Sequence, residues 1–311
     1  MVKINAYTER RGYDGELRTW ETIENLHKEK FEEQIMKRFK RQINKEVRPR
    51  YKKFMEWCRD HTSEWLVALP EKLLEAKNEI DGKKTYKQFL ANLKFRDKLA
   101  RIYGYEHKKL LDLAKWINVK TCPYCNMQYT LYAEDYPNAE RMAKFQFDHF
   151  FDKAEYPMFS MSLYNLIPSC ASCNLGKGQG ELDLAFHPYH SAIKDTFRFR
   201  VKNPMPLWLR VNTDVADIEL VPQNGCNLDT YKDKFHVETL YQRHKDVVQE
   251  VFARVYAESY YGILSNFPFL QDRELAERLQ KGFYTKEDEI ERRPLTKFRQ
   301  DIWKQAKGIT R

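Results

Sequence analysis

The chain has 311 residues, of which 42% are apolar and 32% are charged, and its formal net charge is +9. This length is sufficient for two or three compact units with hydrophobic cores. No stretch reaches the roughly 18 consecutive apolar residues that indicate a membrane-spanning helix. The first residues also lack the apolar segment of a secretory signal. We therefore expect a cytoplasmic protein, and the basic charge favours polyanionic partners over a membrane.

Residues 1–118 are predicted to be helical. Phe31, Ile35, Phe39 and Ile43 recur at every fourth position and therefore form one apolar stripe on a helix. Pro49 is expected to interrupt that helix. Further helical patterns begin near Tyr51 and cover about Ser63–Glu79, Tyr86–Tyr103 and Lys108–Ile117.

A run of basic residues extends from Lys37 to Lys53 within this helical stretch. Lysine and arginine side chains bind nucleic-acid phosphates without regard to base sequence. A solvated helix face would show the same pattern. The sequence alone leaves both interpretations open.

Residues 191–235 are predicted to be rich in strands. Phe197, Phe199 and Val201 alternate with Arg198 and Arg200, which is the pattern of a half-buried strand. The helical period returns from about Val237. Two more strands are expected at Leu207–Val211 and Asp217–Val221, and shorter helices near Arg273–Lys281 and Lys286–Lys307.

Four of the six cysteines form two pairs, Cys122-Pro-Tyr-Cys125 and Cys170-Ala-Ser-Cys173. A turn of this spacing supplies two thiolates, and Zn²⁺ prefers four such ligands in a tetrahedral arrangement. A site closed by four thiolates keeps no open position, so we expect one structural zinc ion. The alternatives are a redox-active pair or two chance pairs.

The segment between the two pairs carries polar residues in a characteristic order. Asp148 and His149 lie within a predicted strand, Asn165 follows, and Asn174 and Lys177 come directly after the second cysteine pair. The order of these polar residues, together with the two cysteine pairs, resembles the HNH (ββα-metal) endonucleases. The similar segment extends from Cys122 to Tyr189. The resemblance implies a mainly α protein with a small α+β core, in which a ββα-metal nuclease core with structural zinc lies between helical N- and C-terminal regions.

The resemblance also implies roles for these residues in phosphodiester hydrolysis. His149 would be the general base, because a neutral imidazole accepts a proton near pH 7. Asp148 and Asn174 would hold one catalytic Mg²⁺ or Mn²⁺ ion, and Asn165 would brace the loop that orients His149. Phosphate or nucleic-acid contacts are predicted for Lys177, His187, Arg198 and Arg200, although a structural role is the stronger interpretation of His187.

The layout of the whole chain is similar to the HNH subunit of Septu-type and retron-associated anti-phage systems. That resemblance implies a defence role and an ABC- or SMC-like ATPase partner, although the N-terminal region is longer here. The predicted regions are a helical docking region at 1–118, the nuclease core at 119–190, a β-rich segment at 191–235 and a helical region at 236–311.

Three interpretations follow from these patterns. The leading one is a metal-dependent endonuclease, with DNA favoured over RNA as its nucleic-acid partner. An RNA-cleaving enzyme, for example one that cuts tRNA, would use the same chemistry. The alternative from a different class is a zinc-stabilised adaptor that binds nucleic acid or protein without cleavage.

Overall fold

The computed structural model describes residues 1–4, 9–134, 140–190, 192, 195–205, 216–257 and 273–309. The chain divides into two compact units. The N-terminal unit comprises Asn5–Val119 and Thr130–Ala192, and the C-terminal unit comprises Met1–Ile4, Lys120–Tyr129 and Ile193–Arg311. Both are mainly helical with small antiparallel strand pairs, which confirms the predicted mainly α fold with a small α+β content.

Helices dominate the N-terminal unit. The first of them, α1, buries the predicted apolar stripe of Phe31, Ile35, Phe39 and Ile43. It ends at Lys45, and the next helix begins at Pro49, where a missing N–H costs no hydrogen bond. The helices are α1 (Trp20–Lys45), α2 (Pro49–Trp65), α3 (Pro70–Gly82), α4 (Lys84–Ala91), α5 (Leu93–Tyr103) and α6 (Leu111–Ile117).

Two predicted helices of this unit are divided in the structure. The pattern over Ser63–Glu79 is broken before Pro70, which begins α3. The pattern over Tyr86–Tyr103 is broken at Asn92, whose side chain accepts a hydrogen bond from the Phe95 N–H at 3.1 Å and so caps α5.

The strands of the N-terminal unit form three antiparallel pairs. The pair β5–β6 is followed directly by the short helix α7, and Asp148 lies opposite Ile167 while His149 lies opposite Leu166. The strands and helix are β1 (Arg10–Arg11), β2 (Leu17–Arg18), β3 (Tyr132–Glu134), β4 (Arg141–Ala143), β5 (Gln146–His149), β6 (Leu166–Ser169) and α7 (Ala171–Lys177).

Among its described residues, the C-terminal unit contains one strand pair and several helices. On β7 the predicted alternation is confirmed, because Phe197, Phe199 and Val201 are buried while Arg198 and Arg200 are exposed. The predicted strand at Leu207–Val211 lies outside the described residues. The elements are β7 (Phe197–Val201), β8 (Ile218–Pro222), α8 (Asp229–Phe235), α9 (Val237–Tyr241), α10 (Lys245–Tyr256), α11 (Arg273–Lys281) and α12 (Thr296–Ile309).

Within the described part of the chain, every helix is too short or too polar to cross a lipid bilayer.

The core of the N-terminal unit buries His27, and this residue should make stability pH-dependent. Burial, with a smaller contribution from Lys30, lowers the pKa of His27 from 6.5 to about 4, although its ring nitrogen bonds the Met161 carbonyl at 2.7 Å. The unfolded chain therefore binds a proton at a higher pH than the folded protein. Stability from this group is complete above pH 6.5 and is lost as the pH falls towards 4.

We expect His27→Gln to reduce the loss of stability between pH 7 and pH 5 by about 2 kcal/mol relative to the wild type. Glutamine keeps a hydrogen-bond donor but does not titrate. Urea unfolding at the two pH values measures the effect, and other titrating groups contribute equally to both proteins. An equal loss in wild type and variant would show that His27 is not the group responsible.

Candidate metal centre and catalytic site

The four paired cysteines form one buried cluster. The sulfur atoms of Cys122, Cys125, Cys170 and Cys173 all lie within 4.8 Å of one another. Thiolates about 2.3 Å from a tetrahedral zinc ion would be separated by roughly 3.8 Å, so this donor set fits zinc. The cluster confirms the prediction that these four residues could bind a metal ion.

Backbone hydrogen bonds shape the turn that presents the first cysteine pair. The Asn126 N–H donates to the Cys122 carbonyl at 2.7 Å, and the Met127 N–H donates to the Cys125 Sγ at 3.4 Å. Asn126 adopts a left-handed conformation with φ of 49°, which asparagine tolerates better than most residues. Its buried side chain donates to Thr121 Oγ1 at 3.0 Å. The turn is therefore held in shape by the polypeptide itself.

The second cysteine pair begins helix α7. Cys170 caps the helix and accepts the Asn174 N–H at 3.0 Å through its carbonyl, while Cys173 lies in the first turn. The N-terminal end of a helix carries partial positive charge, which favours the thiolate form that zinc requires. The same short helix carries Asn174 and Lys177, so the cysteine pair also fixes the position of two predicted site residues.

The predicted catalytic pair lies at the end of strand β5. Side chains alternate along a strand, so Gln146 and Asp148 face one side of the hairpin. On that side, Asn174 Nδ2 donates to Gln146 Oε1 at 2.5 Å and Lys177 Nζ lies 3.2 Å from Asp148 Oδ1. Asp148 on β5 is thus bonded to Lys177 on α7, and Asn174 on α7 is bonded to Gln146 on β5. Asp148 and Asn174 are the two predicted metal ligands.

The environment of His149 keeps its imidazole neutral. Burial lowers the pKa of His149 to about 3, with further lowering by Lys153 and Lys177. Its Nε2 lies 3.0 Å from the Ser160 carbonyl oxygen and must therefore carry the proton and donate it. In that tautomer Nδ1 has the lone pair, so this nitrogen is the one able to accept a proton.

Asn165 forms hydrogen bonds with the backbone of the loop that follows β5. It is fully buried, and its amide nitrogen donates to the carbonyls of Phe151 at 3.0 Å and Phe159 at 2.9 Å. Its side-chain oxygen accepts the Phe151 N–H at 2.7 Å. Phe159 precedes Ser160, the partner of His149, so Asn165 acts on the orientation of the imidazole through the backbone.

We expect Asn165→Ala to destabilise the protein by at least about 2 kcal/mol, because it leaves one buried N–H and two buried carbonyls without their partner. Urea unfolding monitored by circular dichroism measures the loss. Asn227→Ala is a matched control, because Asn227 is exposed and its side chain accepts the Asp229 N–H at 2.8 Å. If Asn165→Ala loses no more stability than Asn227→Ala, the hydrogen bonds of Asn165 do not stabilise the loop.

Lys177 occupies a position that differs from a surface phosphate contact. Its side chain is 2% exposed, and its ammonium donates to the His149 carbonyl at 2.6 Å as well as to Asp148. Lys177 therefore bonds the backbone of the predicted catalytic pair and balances the charge of Asp148. Direct contact with a substrate phosphate stays a prediction for this residue.

Two residues of the site were not found from the sequence. The Tyr105 ring contacts the His149 ring edge-on, with centroids 4.5 Å apart, and the Lys153 ammonium lies 4.1 Å from the Tyr105 centroid. Burial and the charge of Asp148 raise the pKa of Tyr105 to about 12, so its phenol stays protonated. Tyr105 follows α5 in a helical region without a recognisable motif. Lys153 lies only four residues after His149 in the sequence, so its proximity to the site could have been inferred.

The other predicted phosphate contacts have different surroundings. His187 is fully buried against the Phe150 ring, with centroids 4.2 Å apart, and both its structural role and its phosphate contact stay predictions. Arg198 and Arg200 are about half exposed on β7 and form ion pairs with Asp195 and Glu219. Nucleic-acid contact stays a prediction for both arginines.

Comparison with known proteins finds one similarity of limited extent. Over 111 residues, or 34% of this chain, the sequence is 34% identical to protein ea31 of Escherichia phage lambda. The aligned part spans 31% of the length of that phage protein. No family model matches the chain, and no solved structure matches it significantly.

Proposed function

We propose that this protein is a divalent-metal-dependent endonuclease of the HNH type. The observation that carries the proposal is the β5–β6–α7 hairpin and helix, which brings Asp148, His149 and Lys177 together. His149 is neutral and its Nε2–H donates to the Ser160 carbonyl, which leaves Nδ1 as the nitrogen that would accept a proton in general-base catalysis. The bracing of its loop by Asn165 supports the same role.

The chain's own residues would divide the work of hydrolysis. His149 takes a proton from the attacking water through Nδ1, and the Ser160 carbonyl stabilises the resulting imidazolium through Nε2–H. Burial is the main cause of the low pKa of His149, so general-base catalysis near neutral pH requires the negative charge of a bound phosphate to offset that burial as well as the charges of Lys153 and Lys177.

Asp148 and Asn174 would hold the Mg²⁺ or Mn²⁺ ion. When bound, such an ion would neutralise the negative charge that develops on the phosphate and the leaving oxygen. Lys177 fixes the Asp148 carboxylate through Oδ1 and Asn174 is oriented by Gln146. The separate cysteine cluster would hold zinc as a scaffold and take no part in the reaction.

The biological setting is a further part of the proposal. The resemblance of the motif layout to anti-phage nuclease subunits supports an effector role in bacterial defence, with an ABC- or SMC-like ATPase as partner. Co-purification from cells that contain the neighbouring genes would test it. Recovery of an ATPase in a defined ratio is expected, and recovery of the chain alone would contradict the partner.

One experiment separates the nuclease from the zinc-stabilised adaptor. Zinc-loaded protein is incubated with supercoiled plasmid and with a tRNA mixture, in Mg²⁺, in Mn²⁺ and in EDTA. We expect nicking or cutting of at least the DNA with either divalent ion and none in EDTA. Cleavage of the tRNA alone would favour the RNA-cleaving alternative. Binding without cleavage in every condition, including with the partner added, would establish the adaptor.

A further inference from the structure

An open groove lies beside the proposed catalytic site in the N-terminal unit. It has a volume of about 480 Å³ and is formed between helix α1 and the C-terminal end of α5. Its basic lining residues are Arg38, Arg101 and Lys109, and Tyr105 also lines it. Tyr105 is the residue whose ring contacts His149 at 4.5 Å between centroids. Tyr105 therefore belongs both to the lining of the groove and to the surroundings of the proposed catalytic imidazole.

The fold fixes the basic edge of this groove. Helix α5 ends at Tyr103 and is capped by Gly104, which has φ of 64° and donates its N–H to the Ala100 carbonyl. Arg38 donates to the carbonyls of Ile102 and Tyr103 at 3.2 and 3.4 Å, and a Cβ atom at position 104 would overlap its guanidinium. The helix end thus needs glycine there, and Arg38 is held at the groove in one position.

The charges of the groove favour an anionic occupant. Two carboxylates, Asp97 and Glu106, also line it, and Lys109 pairs with Glu106 at 2.6 Å, so the lining keeps an excess of one positive charge. Arg101 is exposed, and Arg41 is exposed on α1 one turn beyond Arg38. The groove is open, and its three cations come from α1, α5 and the segment after α5, which suits a polyanion such as a nucleic-acid backbone better than a single small anion.

We propose that the α1–α5 groove binds the phosphate backbone of the nucleic-acid substrate on one side of the scissile bond. Tyr105 lies where the nucleic-acid strand would pass from the groove into the proposed catalytic site. This inference rests on the proposed nuclease function. Of the basic run from Lys37 to Lys53, Arg38 alone lines the groove, and Lys40 lies on the opposite flank of the buried stripe of α1.

The test compares charge removal inside and outside the groove. Binding of a labelled 30-base-pair DNA and of a single-stranded RNA of equal length is measured by fluorescence anisotropy at several salt concentrations. All proteins carry His149→Ala, so that the substrates stay intact. The groove variant is Arg101→Gln/Lys109→Gln. The matched control, Lys40→Gln/Lys53→Gln, removes the same charge from exposed residues that do not line the groove.

We expect the groove variant to bind at least about tenfold more weakly. The slope of log affinity against log salt should also fall by about one to two, because each cation that no longer binds a phosphate lowers it by about one. The control should bind within about twofold of its parent. The probe whose affinity falls further, DNA or RNA, identifies the class of substrate. A charge-reversal pair, Arg101→Glu/Lys109→Glu, should weaken binding further, and thermal melting checks that each variant is folded.

Two outcomes would overturn the groove assignment. One is equal binding by the groove variant and its parent, and the other is equal weakening of groove variant and control, which would reflect net charge alone. Because binding is measured without cleavage, this result is independent of the proposed reaction. A wild-type protein that binds through the groove and never cleaves would contradict the nuclease function but would still support the groove as the binding site.

Discussion

His149→Ala is expected to lower the rate of metal-dependent cleavage by about 10² to 10⁴-fold, the usual contribution of a general base. The variant removes the Nδ1 lone pair that accepts the proton of the attacking water. The variant also leaves the Ser160 carbonyl without its 3.0 Å hydrogen bond and empties a buried position against the Tyr105 ring, so thermal melting must establish that it is folded under the assay conditions. Single-turnover cleavage of a labelled substrate, with substrate affinity measured in parallel, separates the chemical step from binding.

The control for this variant is another histidine. His236 is exposed and has a left-handed conformation with φ of 48°, which asparagine adopts readily. His236→Asn should therefore cleave at the wild-type rate. Equal cleavage by His149→Ala and wild type would exclude His149 as the general base, and equal loss in both variants would point to a general effect on folding.

Cys170→Ser is expected to cause the largest loss of stability. It removes one of four thiolates from the buried cluster, and a complete structural zinc site contributes roughly 10 kcal/mol or more of folding free energy. We expect zinc content to fall well below one ion per chain and the free energy of unfolding to fall by at least about 3 kcal/mol. Elemental analysis and urea unfolding measure the two quantities.

Cys226→Ser is the matched control for the zinc site, because Cys226 lies outside the cluster and is only half-buried. It should retain one zinc ion and near wild-type stability. Addition of a strong chelator to the wild type should reproduce the destabilisation of Cys170→Ser. If Cys170→Ser keeps its zinc content and stability, the four-cysteine centre is not a structural zinc site.

The helices of this protein were predictable where the local sequence alone favours one backbone conformation. The stripe from Phe31 to Ile43 has the period of a helix, and Pro49 can only begin the next one. The break at Asn92 was missed because a capping asparagine inside an apolar pattern is recognised only from its bond to the Phe95 N–H. Helix boundaries of this kind depend on tertiary packing, which decides whether the pattern continues.

The candidate site was predictable to the extent that it is local in sequence. The spacing of the cysteine pairs predicted the metal-binding cluster, and Asn165 is placed to brace the loop after β5. The contacts of Tyr105 with His149 and of Lys177 with Asp148 join residues that are distant in the chain. No local pattern encodes such contacts, so a lysine whose position after the cysteines suggested phosphate binding is found buried beside a carboxylate.

The most direct test of the account is the dependence of cleavage on Mn²⁺ in the wild type and in Asp148→Asn. Asparagine has nearly the same shape as aspartate but lacks the negative charge that a divalent ion on oxygen ligands requires. With zinc content equal in both proteins, the wild type should cleave at a rate that saturates with Mn²⁺. The variant should need at least about tenfold more Mn²⁺ or fail to cleave. The same Mn²⁺ dependence in both proteins, or cleavage that needs no divalent ion, would contradict a catalytic metal site at Asp148.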